Sequence, residues 1–202
     1  CNDVVATYRK RDPKRFPVAC GIVEPLHGAR SLGELERMKH ELHLDGVVWH
    51  SRFQGVAVDH SLMRPLLKKV SELGLVPLVH TNAESNLEAV WRLERLALEF
   101  PELTFVSMDA LTTNTNSQLA LDIAKRTRNI IFDTAHVRGP AYVKSFVEAV
   151  GSERLIFGSL FYSTPPSYEH CATLAEIKAA KISDADKANI LAGNAKRLFK
   201  LA

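Results

Sequence analysis

Six short apolar runs in this sequence are each followed by a side chain able to do chemistry: Glu24, His50, His80, Asp109, Asp133 and Ser159. His80 closes the run Val76–His80, where an imidazole can ligate a metal or act as a general base. It can equally be a histidine that only hydrogen-bonds the rim. His50 closes Gly46–Trp49, and Arg52 follows two residues later. Two cationic groups so placed can hold a substrate carboxylate or carbonyl, the guanidinium being the better bidentate partner. Asp133 and His136 follow Asn129–Phe132, and an aspartate beside a histidine can orient the ring for acid–base work. Asp109 is an oxygen donor for substrate or metal. Asp109 and Asp133 can also serve as caps for the helices that follow.

The elements that must position these groups alternate. The apolar runs 18–23, 46–49, 76–80, 104–108, 129–132 and 155–158 are rich in Val, Ile, Leu and Phe, as buried parallel strands are. Segments with helical spacing separate them: 62–73 with Gly74 as its C-cap, 87–100 closed by Pro101, 118–125, 141–150 and 168–179. A further helix is expected over 183–201, where Ser183 and Asp186 approximate a capping box. His40 and His43 are read as neighbours on one exposed helix face. The alternation implies an α/β protein with a parallel sheet, in a single domain over residues 1–202. An open nucleotide-binding sheet should carry a glycine-rich loop, and the sequence has neither GxGxxG nor GxxxxGK[ST]. Polar residues after most of the strands favour a barrel, where such positions converge on one face.

The stretches RFPVACGIVEP, GVVWHSRFQG, LGLVPLVHTN, FPELTFVSMDA, NIIFDTA, ERLIFGSLFY and ILAGNAKRLFKL resemble, in order and spacing, the strand ends of the amidohydrolase-related family. That family includes aminocarboxymuconate-semialdehyde decarboxylase. The resemblance implies a (β/α)8 TIM-barrel-like fold of the metal-dependent hydrolase type, with about six of eight strands in this chain. It implies a hydrolase or lyase, such as a decarboxylase, acting on a small carboxylated or cyclic substrate at the C-terminal rim. His80 matches the family's fifth-strand metal ligand. Met108 and Asp109 lie where a sixth-strand histidine is common, and Leu160 takes the place of a metal-binding aspartate. The HxH pair of the first strand has no counterpart here. These departures imply a divalent metal such as zinc that is weakly held or absent. On this reading His80, Asp133 and His136 are catalytic, and His50, Arg52 and Asp109 bind substrate. An inactive barrel serving as a binding subunit is the competing reading.

The 26 basic and 23 acidic residues nearly balance and are scattered, which argues against nucleic acid. No apolar run approaches the ~18 residues of a membrane span. Residues 1–16 lack a signal-peptide core, and the three cysteines form no CxxC pair, so a cytoplasmic location is expected. Six strands do not close an eight-stranded barrel. The expectation is therefore that an upstream segment or a second copy of the chain covers the gap.

Overall fold

The computed structural model describes residues 1–82, 84–137, 139–160 and 171–201. It opens with α1 (Asn2–Arg11), and then strands and helices alternate: β1 (Cys20–Ile22), α2 (Ala29–His40), β2 (Gly46–Trp49), α3 (Ser51–Gln54), α4 (Met63–Leu73), β3 (Val76–His80), α5 (Val90–Glu99) and β4 (Phe105–Met108). α6 (Asn114–Arg126), β5 (Ile130–Asp133), α7 (Pro140–Val150) and β6 (Leu155–Ile156) continue the pattern. α8 (Ala172–Ala179), α9 (Asp184–Ala188), a π-helical turn at 189–193 and α10 (Asn194–Leu198) complete it. Among the described residues the six strands are all parallel and adjacent in chain order, so β1 and β6 are the two ends of the described sheet.

The strand registers sort the side chains by face. Val47, Val79 and Phe132 lie on the face covered by helices and are fully buried. The amphipathic stripes pack there, with Met63, Leu66, Leu67 and Val70 of α4 all buried. Each such side chain contributes about 1.5–3 kcal/mol. Ile22, Val48, Leu78 and Ile131 share the other face, and Ile22 at the edge is 45% exposed. This is the inner face of a partial (β/α)8 barrel.

Side-chain amides hold the ends of the sheet. Asn2 donates to the Ile22 carbonyl and accepts from the Ile22 amide, both at 2.8 Å, so a buried side chain imitates a neighbouring strand on β1. Gly21 permits this approach, since a Cβ there would lie 2.8 Å from the Asn2 oxygen. Asn129 donates to the carbonyls of Ala97, Phe100 and Leu103. Asn194, in the closing GNAKRLF stretch, donates to Ser152 and Leu155 and ties α10 to β6.

Several expected elements differ in extent. The segment 87–100 is a 3-10 turn at Asn86–Glu88 followed by α5, because Ala89 takes an extended ψ of 131° between them. The 118–125 helix starts earlier, at Asn114, where the Thr113 hydroxyl accepts from the Asn116 amide. The tail is broken into α9, the π turn and α10, although Ser183 caps it as expected. His40 and His43 do not share a helix face, since α2 ends at His40 and His43 has a left-handed φ of 54°. The expected start of the 168–179 helix falls outside the described residues, as do Phe161 and Tyr162 of the ERLIFGSLFY stretch. Among the described residues, no helix is long and apolar enough to cross a membrane.

Candidate active site

Pairing of Trp49 with Val79 brings the ends of β2 and β3 level, so His50 and His80 lie side by side. Their rings stack with centroids 3.7 Å apart and planes inclined by 16°. Glu88 joins them from the turn that follows β3. One carboxylate oxygen lies 2.7 Å from His50 Nδ1 and accepts the Arg52 amide at 2.9 Å. The other lies 3.0 Å from His80 Nδ1. The Glu88 side chain is wholly buried, and its place is set locally. The Ser85 hydroxyl accepts from the Leu87 amide to start the turn, and the Asn82 amide donates to the Glu88 carbonyl.

The second nitrogen of His80 lies 2.7 Å from the Asp109 carboxylate, leaving this ring 2% exposed. Asp109 sits just past β4 with a left-handed φ of 61°, and its amide donates to Asp133 at 2.9 Å. Non-glycine residues adopt this region uncommonly, and such backbone clusters at functional sites. His136 has the same habit, with a φ of 63°. Its Nε2 lies 4.0 Å from Asp109, so among the described residues the carboxylate nearest this ring is Asp109 rather than the expected Asp133. A Cβ on Gly158 would lie 2.8 Å from the Asp133 carboxylate, so β6 approaches that group closely only through a glycine.

The electrostatics follow from this arrangement. Burial lowers the His50 pKa, and the charge of His80 lowers it further. Burial opposes charge on His80 too, but its bonds to Asp109 and Glu88 outweigh burial and raise it to about 9. For Glu88 burial is outweighed by the His80 bond and the Arg52 amide, so its pKa falls. For Asp133, burial and the nearby Asp109 charge outweigh the amides of Asp109 and Ala135 and the charge of His80, and raise it to about 7.

The structure thus gathers His50, Arg52, His80, Asp109, Asp133 and His136 at one end of the sheet. It adds Glu88, which the sequence reading placed inside a helix. The available signal was Ser85-x-x-Glu88, the spelling of a capping box. Here the glutamate turns to the histidines instead of back to the cap. His50, His80 and Glu88 present ligand atoms within 4.8 Å of one another. Two imidazoles and a carboxylate are ligand types for zinc or manganese, so these residues fit a divalent metal. Holding one would replace the bonds that they make to each other. His80 is the position that the family resemblance pointed to, and His50 and Glu88 stand beside it as further donors. Leu160, with a φ of 54°, offers no ligand atom.

A sequence model of the amidohydrolase family matches residues 1–201. The chain belongs to the amidohydrolase family. No curated protein matches it. Solved structures do, and they carry the same fold. The 5-carboxyvanillate decarboxylase LigW from Sphingomonas paucimobilis aligns over 100% of this chain and 72% of its own, with 20% identity and a TM-score of 0.77. The 2,6-dihydroxybenzoate decarboxylase from Rhizobium aligns over 99% of this chain and 76% of its own, with 20% identity and a TM-score of 0.71. The 5-carboxyvanillate decarboxylase from Novosphingobium aromaticivorans, complexed with manganese and 4-hydroxy-3-methoxy-5-nitrobenzoic acid, aligns over 99% and 68%, with 19% identity and a TM-score of 0.75. In this amidohydrolase the six parallel strands and their helices are the part of the barrel that carries the His50–Glu88–His80 cluster.

Proposed function

We propose that this amidohydrolase acts on a small carboxylated substrate at the strand ends, and that its reaction is loss of CO2 from a carboxylated aromatic. The observation that carries the reading is the single buried carboxylate of Glu88 set between two stacked histidines. A carboxylate on one imidazole nitrogen fixes the ring and leaves the other nitrogen to work, the logic of an oriented acid–base histidine. His50 is bound in this way through Nδ1, which leaves Nε2 to move a proton at the substrate. His80, tied on both nitrogens, fixes the plane of the His50 ring by stacking. Arg52 lies two residues after His50, on α3, and supplies the cation for the substrate carboxylate.

In decarboxylation the bond from carbon to the carboxylate breaks, CO2 leaves, and the electron pair left on carbon takes one proton. With Nδ1–H given to Glu88 the neutral His50 ring has a bare Nε2, which takes a proton from solvent and passes it to that carbon. A divalent metal held by His50, His80 and Glu88 would supply positive charge that polarises a bound carboxylate or water. The choice of decarboxylation over hydrolysis draws on the activities named for the neighbours in fold. Release of CO2 from 2,6-dihydroxybenzoate and 5-carboxyvanillate, with and without added manganese, tests it. Equimolar CO2 and decarboxylated product are expected. Absence of both under either condition rejects the reading.

A further inference from the structure

Three rings form a column running from the buried cluster to solvent. His80 stacks on His50, and His50 meets Phe53 with centroids 4.2 Å apart at 44°. Phe53 is 78% exposed, and no other large hydrophobic side chain among the described residues is more so. The open ring of Phe53 lies against His50 on one side and beside a guanidinium on the other, so it offers an aromatic face at the mouth of the site. The neighbouring charge says which ligand. The Arg52 guanidinium carbon lies 5.3 Å from the Phe53 ring centre. Its Nη1 bonds at 3.1 Å to Glu84, whose side chain is largely exposed, and an exposed pair of this kind is weak and exchangeable. Its Nε is buried and, among the described residues, has no hydrogen-bond partner, with Glu88 3.6 Å away.

We infer that Arg52 and Phe53 together form the substrate-recognition platform of this chain, selecting a planar aromatic ring that bears a carboxylate. The guanidinium takes the carboxylate in place of Glu84, and the open face of Phe53 takes the ring. A ligand of the same charge without a π face satisfies only half of the platform. The inference rests on the proposed site at His50, because that histidine is what the platform adjoins. It adds to that reading the Phe53 face as the feature that selects an aromatic over a non-aromatic carboxylate.

The test compares binding of benzoate and cyclohexanecarboxylate to the full 202-residue chain by ligand-observed NMR titration. The two probes share charge and approximate size and differ in the aromatic face. The wild type should prefer benzoate by roughly 3- to 10-fold, the range expected of one aromatic pair. Phe53→Leu, a change at an exposed position, should bring the ratio close to one. Arg52→Gln should weaken both probes in parallel and keep the ratio. His50→Gln should keep the preference while abolishing any release of CO2. Loss of turnover with the preference intact therefore separates a failure of the proposed reaction from a failure of the platform. Equal affinities in the wild type, or a ratio untouched by Phe53→Leu, overturn the inference.

Discussion

Replacing Asp133 with asparagine should make the protein more stable, and only at the higher end of the pH range. In the folded chain burial and the Asp109 charge raise this carboxyl from 3.8 to about 7. Between those two values the folded state keeps a proton that the unfolded state has released. Stability therefore falls as pH rises, by about 1.4 kcal/mol for each unit. Over the roughly three units between 3.8 and about 7, the accumulated penalty is at most about 4 kcal/mol, and it is constant above that window. An asparagine is neutral throughout, and its carbonyl oxygen can still accept the Asp109 amide that Asp133 accepts at 2.9 Å. Urea denaturation of both proteins from about pH 4 to about pH 8 checks this. The curves should meet at the acidic end and diverge towards neutrality, the variant being more stable by up to about 4 kcal/mol. Groups remote from Asp133 are common to both proteins and cancel, so the difference reports Asp133 together with its coupled neighbours Asp109 and His80. Parallel curves across the range would refute the argument.

Three further outcomes follow from the geometry. Asn2→Leu removes the amide that satisfies the Ile22 backbone on the β1 edge, and should cost about 1–3 kcal/mol in denaturant unfolding; an unchanged midpoint would count against the edge-strand role. Gly158→Ala places a methyl 2.8 Å from the Asp133 carboxylate, so it should destabilise the wild type more than it destabilises an Asp133→Ala background. The half-exposed inner face, with Ile22 at its edge, should drive self-association across a concentration series in sedimentation; a monomer at every concentration would show that the face needs no cover.

The sheet was legible because buried parallel strands leave short Val/Ile/Leu runs and because some of the helices between them carried their own punctuation. Gly74 does end α4 in a left-handed conformation, and Ser183 does cap α9. Positions such as His50, His80 and Asp109 were legible as the polar residues that break these runs. Their mutual contacts were not, because a stack between β2 and β3 depends on register, which no local pattern states. Glu88 was the costliest omission. It lies among Leu87, Val90 and Trp91, where a periodic reading assigns it to a helix surface. Only the extended backbone at Ala89 detaches its turn from α5 and lets the carboxylate face inward. His136 and Asp109 owe their positions to left-handed backbone, which composition does not announce for residues other than glycine.

The most direct measurement of the central claim is turnover of 2,6-dihydroxybenzoate and 5-carboxyvanillate by the wild type and by Glu88→Gln, with folding of the variant verified by thermal denaturation. Glutamine keeps the size of the side chain but loses the charge that holds His50 Nδ1 at 2.7 Å and His80 Nδ1 at 3.0 Å. Loss of an oriented acid–base group is worth about 100-fold or more in rate, so kcat should fall by that factor while KM changes little. A Glu88→Gln protein that is folded and turns over at the wild-type rate would contradict the account.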